Sequence, residues 1–237
     1  LISCSDAKLQ SMVKLSMTLI IHGSPLSPFT RKVTLAALEK NLNFQSRDLN
    51  PYTEQERLAG LNPLRRIPVI QHNEFTLADS SAICGYFEAA FPEMRALSPA
   101  DAKAKGSALW IEEYADTKLF EAISEGVFRP IFINQLLGMA PDLAKVEDAV
   151  RNRLPEPLSY LENQLGTNNW FAGDQISIAD IAVYSQMVNL DHAHRLPSKK
   201  DYPVLMEHYH RMCNRPLIAS LLKSEQAFLS EAISTLS

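Results

Sequence analysis

Two hydrophobic patterns divide this chain. Between residues 18 and 91 the apolar positions come in short runs broken by turn residues. "TLIIH", residues 18–22, reads as a short buried strand. Residues 28–40 read as a helix, with Ser27 as N-cap, Pro28 in the first turn, and Val33, Ala36, Ala37 and Lys40 at helical spacing. "NFQSRDL", residues 43–49, alternates weakly as a strand, and residues 53–61 predict a short polar helix ending near Gly60. "IPVIQH" and "EFTLAD" predict a hairpin bent at Asn73, and residues 80–91 predict a helix that Pro92 ends.

From residue 102 onward the pattern is helical, with no convincing strand. "AKGSALWIEEYADTKLFEAISEGVFRP" is long and amphipathic up to Pro130, which is expected to break or kink it. Leu154, Leu158, Leu161 and Leu165 share a face, and Pro155 and Pro157 imply either a kinked helix or two helices meeting there. Residues 177–190 open with Ser177 and Asp180 at capping-box spacing, and their apolar side follows at Ile181, Ala182 and Val188. The expected organisation is a mixed α/β domain over residues 17–91, a linker over 92–101 and an all-helical domain over 102–237. Residues 1–16 show no clear period and precede Met17, so they are read as a leader or remnant outside the fold, and Cys4 within them is given no role.

Composition narrows the function. The chain has 237 residues, 46% of them hydrophobic, which suffices for one large or two small cores. A net charge of −4 without a long basic run argues against nucleic acid, and no apolar stretch is long enough to span a bilayer. The three cysteines, Cys4, Cys84 and Cys213, are far apart and form neither a metal nor a redox pair, which fits a reducing cytoplasm. The pairs His192/His194 and His208/His210 are spaced i, i+2, so they are read as solvated and not as metal ligands.

The candidate chemistry sits at the first strand-to-helix corner. Ser24, Ser27 and Thr30 surround a helix N-terminus, with Arg31 and Lys32 close behind. That grouping serves either as simple capping or as the front of an anion site. Four stretches then carry a family resemblance: "GSPLSPFTRKVTLAALEKNL", "NPLRRIPVI", "LADSSAI" and "WFAGDQISIADI". In this order they resemble the cytosolic glutathione transferase family, in its serine-type classes such as phi, theta and tau. The resemblance covers about residues 17–230.

The resemblance implies a thioredoxin-like N-terminal domain, an all-α C-terminal domain and a detoxifying transferase with glutathione as co-substrate and no metal. It also implies a homodimer. Ser27 would be the catalytic hydroxyl, donating to the glutathione sulfur so that the thiolate persists near neutral pH, with Ser24 as the alternative. Pro68 would be a cis-proline, and Ile67 would pair its backbone with the cysteinyl unit. Ser80 would bind the γ-glutamyl carboxylate and Asp79, standing where the family has Glu, its α-amine. Arg66 would fork onto the glycyl carboxylate, and Arg65 stands where Gly is usual. Leu26, Trp110, Tyr114 and Phe120 are candidates for the electrophile pocket; Ser177 and Asp180 are assigned to folding. A glutathione-dependent isomerase, peroxidase or dehalogenase, and a non-catalytic glutathione or hydrophobic-ligand carrier, remain alternatives.

Overall fold

The computed structural model describes residues 18–234, so the proposed leader and Cys4 lie outside the described residues. The first half is built as β1 (Leu19–His22), α1 (Pro28–Glu39), β2 (Phe44–Arg47), α2 (Gln55–Ala59), β3 (Val69–His72), β4 (Phe75–Ala78) and α3 (Ser80–Ala90). The strands form one sheet in the order β2-β1-β3-β4. β1 and β2 run parallel, with Ile21 opposite Ser46, while β3 is antiparallel to both β1 and β4. The hairpin turns at Asn73, whose φ of 54° is a conformation that Asn tolerates better than most residues. A small four-stranded mixed sheet flanked by helices, followed by helices, is the thioredoxin-like plus all-α fold.

From residue 102 to 234 the described chain is helical or loop. α4 (Ala102–Tyr114) continues as wide-turned, i→i+5 bonded helix over Ala115–Leu119 and Glu121–Ile133, ending in α5 (Asn134–Leu136). Pro130 therefore does not end the helix. A proline has no N–H to give, and the widened turns carry it inside a continuous rod. Gly126 lies where a Cβ would fall 2.7 Å from the Cβ of Ala149, so only glycine lets these helices cross so closely. α6 (Leu143–Asp148) continues through Arg153, and α7 (Pro155–Leu165) starts with Pro155 at its first position, so two helices meet at Leu154. Leu154, Leu158, Leu161 and Leu165 are all buried.

α8 (Ile178–His192) is the central post. Every residue in it except Asp191 is buried, so the one-sided apolar face expected from the sequence is corrected to burial all round. Its Ser177–Asp180 capping box is present. α9 (Pro203–Cys213) and α10 (Pro216–Ser234) complete the bundle. The histidine reading needs correction too. His194 and His210 are exposed, but His192 and His208 are buried. His208 Nε2 pairs with Asp180 Oδ1 at 2.9 Å, and His192 Nε2 lies 3.2 Å from Glu225 Oε2. Each has a carboxylate to satisfy its ring, which removes the cost of leaving water.

Candidate active site

The corner between β1 and α1 is built by close approach. A Cβ at Gly23 would fall 2.3 Å from Thr30 Oγ1, so the chain can pass here only as glycine. Gly23 N donates to Arg47 O at 3.1 Å, which fixes the corner to the end of β2. Ser27 is half-buried and extended, and its Oγ accepts from Thr30 N at 3.3 Å. That cap occupies an acceptor site and leaves the Ser27 O–H free to donate. Ser24, also half-buried, gives its carbonyl to Ser27 N at 3.1 Å. A sulfur placed over the corner would meet a hydroxyl donor and a helix N-terminus together, and both favour the anion.

Arg31 and Lys32 do not front this corner. Both are buried and their charges are spent inward. Arg31 forks onto Glu225, with Nε–Oε1 and Nη2–Oε2 at 2.9 and 2.6 Å, and reaches Asn189 Oδ1 at 3.1 Å. Lys32 Nζ donates to Ser81 Oγ at 3.0 Å, to Glu112 Oε1 at 2.9 Å and to Asp116.

The "NPLRRIPVI" loop brings a second edge. The Ile67–Pro68 peptide bond is cis, and β3 begins at the next residue. Pro68 is buried and Ile67 half-buried, the latter packed against Leu49, Leu58 and Val69. Arg65 takes a φ of 51°, and Arg65 and Arg66 are both exposed. Asn62 holds the loop: Nδ2 donates to Arg66 O at 2.7 Å, and Oδ1 accepts from Leu64 N at 2.9 Å. In the sequence Asn62 reads only as a stop for the preceding helix, not as a clamp on this loop. The signal was available, because an Asn side chain bonding the backbone two residues on makes a turn of this kind.

The third edge is the start of α3. Asp79 has a φ of 78°, and its Oδ1 caps the helix through Ser81 N at 3.0 Å and Ala82 N at 2.9 Å. The shorter acid is thus committed at one oxygen to the helix, while the residue stays exposed. Ser80 beside it is buried. Ser81, Lys32, Glu112 and Asp116 form a charged node directly behind, which sequence reading also missed. Burial pushes Asp116 up to about 6, against the pull of the Lys32 ammonium. Burial likewise pushes the Cys84 thiol up to about 12, so it is no nucleophile at neutral pH.

The four electrophile candidates separate. Leu26 is 5% exposed and belongs to the main core. Phe120 packs on Phe29 of α1 with ring centroids 4.9 Å apart, next to the Ser27 corner. Trp110 is 53% exposed, donates to Tyr160 OH at 2.5 Å, and lies tilted against Tyr114 with ring centroids 6.0 Å apart, while the Tyr114 ring lies 4.4 Å from that of Tyr160. Among the described residues, no cluster of His, Cys, Asp or Glu could hold a metal, and no helix is long and apolar enough to cross a membrane.

A hydroxyl at a helix start, a cis-proline turn and an Asp-Ser helix start stand together on a thioredoxin-like sheet. Comparison with known families is specific. Residues 21–95 match "Glutathione S-transferase, N-terminal domain", and residues 139–225 match "Glutathione S-transferase, C-terminal domain". Glutathione S-transferase 3 of Zea mays is 31% identical over 164 residues, 68% of this chain and 72% of the maize protein. FtsZ-localized protein A of Caulobacter vibrioides is 26% identical over 92% of this chain and 96% of its own. The crystal structure of a glutathione S-transferase from Rhodospirillum rubrum F11 superposes with a TM-score of 0.79 at 26% identity, covering 86% of this chain and 91% of that one. The chain belongs to the glutathione S-transferase family, and its general activity is glutathione transfer.

Proposed function

We propose that this protein conjugates the glutathione thiolate to electrophilic small molecules, with Ser27 as the thiolate's hydrogen-bond donor. The observation that carries this reading is the Ser27 cap: its oxygen accepts from Thr30 N and leaves the hydroxyl proton unspent at the start of α1. Ile67 would pair its backbone with the cysteinyl unit beside Pro68, Arg66 would meet the glycyl carboxylate, and Asp79 with Ser80 would take the γ-glutamyl end. The exposure of Arg66 and of Asp79 suits groups that wait for a ligand. Phe120 on Phe29 would form the near wall of the electrophile pocket, with Trp110 and Tyr114 further out. The same reading divides the chain at 92–101 and makes it a cytoplasmic, detoxifying homodimer. Exposed Phe75, Leu109 and Trp110 supply apolar surface for that contact.

The test is turnover of an aryl halide with glutathione in wild type and in Ser27→Ala. A fall of about 10²-fold with glutathione binding kept is expected, the scale of losing one well-placed donor. Undiminished turnover in Ser27→Ala, with loss in Ser24→Ala, would move the role to Ser24. A second reading rests on similarity along almost the whole chain to a protein named for its localisation with another protein, FtsZ. Glutathione binding without turnover across aryl halides, enones, peroxides and haloalkanes would favour that partner-binding reading. Turnover confined to peroxides or haloalkanes would favour the peroxidase or dehalogenase.

A further inference from the structure

The last helix meets the Ser27 corner through a buried carboxylate. α10 buries Ile218, Glu225 and Leu229 among its described residues. Two of these are apolar, and the third is a charged group only 1% exposed. A buried carboxylate is costly unless partners satisfy it. Here both oxygens are met. Glu225 Oε1 accepts from Arg31 Nε at 2.9 Å, and Oε2 accepts from Arg31 Nη2 at 2.6 Å and lies 3.2 Å from His192 Nε2. Arg31 is held from a second helix as well. Its Nη1 donates to Ser185 O at 2.5 Å and to Asn189 Oδ1 at 3.1 Å. Ser185, Asn189 and His192 follow at i, i+4 and i+7, which is one face of α8. The guanidinium is therefore fixed by α8 on one side and α10 on the other.

Arg31 is tied to the corner by its backbone. Its N–H donates to Ser27 O at 2.9 Å, the first hydrogen bond of α1. Ser27 itself stands outside the helix, extended at φ −75° and ψ 123°, so the helical period does not place its side chain. Two bonds close the turn it caps. One is the bond from Arg31 N. The other runs from Thr30 N to Ser27 Oγ at 3.3 Å, longer than the usual range of about 2.7–3.2 Å. The shorter tie is thus the one at Arg31, whose side chain two other helices hold. A hydrogen bond weakens steeply as distance and angle drift, so the aim of the hydroxyl decides how much thiolate it can stabilise.

We propose that Glu225 is a positioning residue for the Ser27 hydroxyl. It locks the Arg31 guanidinium, Arg31 fixes the first turn of α1, and that turn aims the hydroxyl at the glutathione sulfur. This inference rests on the transferase reading, in which Ser27 donates to that sulfur. Cohesion between α10 and α1 would use the same contacts, but it would set stability alone and leave the thiol of bound glutathione unchanged. Positioning sets how much of that thiol is ionised.

The test reads the pKa of bound glutathione from the ultraviolet difference absorbance of its thiolate across pH. The proteins are wild type, Ser27→Ala, Glu225→Ala, Glu225→Gln and the double variant Ser27→Ala with Glu225→Ala. Ser27→Ala is expected to raise that pKa. Glu225→Ala should raise it by about one, the scale of weakening a single hydrogen bond, and lower kcat about tenfold with the KM for glutathione nearly unchanged. Glu225→Gln keeps an oxygen for Arg31 and should restore most of the loss. In the double variant Glu225→Ala should add nothing to Ser27→Ala, because it acts through that hydroxyl. Should Glu225→Ala fold poorly, Arg31→Met with Glu225→Leu removes the lock without stranding a charge, and the same rise is expected. A rise in Ser27→Ala with none in the Glu225 variants would overturn the positioning role alone. So would a Glu225→Ala rise of equal size with and without Ser27. No thiolate band in wild type, or one that Ser27→Ala leaves unmoved, would overturn the Ser27 reading and this inference with it.

Discussion

Asp116 shows how one residue's setting makes a measurable difference. One buried ammonium, Lys32, faces two carboxylates, Glu112 and Asp116, so negative charge is in excess. Burial works against the Lys32 charge, but Asp116 above all outweighs it and raises the Lys32 pKa. Burial raises Asp116 from an ordinary 3.8 to about 6, more than Lys32 lowers it. Between these values the folded state holds a proton that the unfolded state has lost. The stabilising contribution is therefore present at low pH and disappears as pH rises through about 6. At about 1.4 kcal/mol per pKa unit the span is on the order of 3 kcal/mol. Urea midpoints measured from pH 4 to 7 should decline with pH in wild type relative to Asp116→Asn. Parallel curves would mean that Asp116 titrates as a surface acid does. This node was not readable in the sequence, because Lys32, Ser81 and Asp116 stand far apart in the chain and look like ordinary surface residues.

At the scale of the element, α1 carries the plan of the molecule. Its start, length and apolar positions were legible, because Ser27, Pro28 and the 3.6-residue period act locally. Its cations were not. Arg31 sits between α8 and α10, bonded to Asn189 and Glu225, and Lys40 Nζ reaches Glu88 at 2.9 Å. Burial alone would raise the Glu225 pKa, yet Arg31 and His192 hold it below the usual carboxylate range. Removing one partner strands the others in a dry interior. Arg31→Met should lose about 3–5 kcal/mol in urea unfolding, and Arg31→Met with Glu225→Leu should recover a good part of it. A double-variant loss equal to the sum of the Arg31→Met and Glu225→Leu losses would mean that the pair is not coupled. The wide-turned helix was also illegible beyond its existence, since Pro130 predicts an end that the widened turns avoid.

For the whole molecule, the sheet and the bundle are tied through charge as well as apolar contact. Glu39 receives Arg95 at 2.8 Å and Arg215 at 2.6 Å, joining α1 to the connection after α3 and to the start of α10. The proposed dimer belongs at this scale. Light scattering should return twice the chain mass, and Trp110→Glu with Phe75→Glu should shift it toward the single chain. A single-chain mass for the wild type would sink the homodimer. A variant pair that stays dimeric would place the contact elsewhere. Of the proposed site, the Ser27 corner, the Ile67–Pro68 turn and the Asp79–Ser80 helix start were legible as motifs. Their clamps, Asn62 and the Lys32 node, were not. The proposed pocket residues were the least legible, and Leu26 went to the core.

The sequence by itself determined the order of elements, the capped starts of α1, α3 and α8, and the family, because caps, turns and periodicity depend on residues a few positions apart. Only the tertiary structure decided which charges are buried and which wait at the surface. Arg31, Lys32, His192 and His208 lose water only because carboxylates from other parts of the chain arrive to meet them. Burial of a charge depends on its partners, and those partners lie up to 194 positions away in the chain.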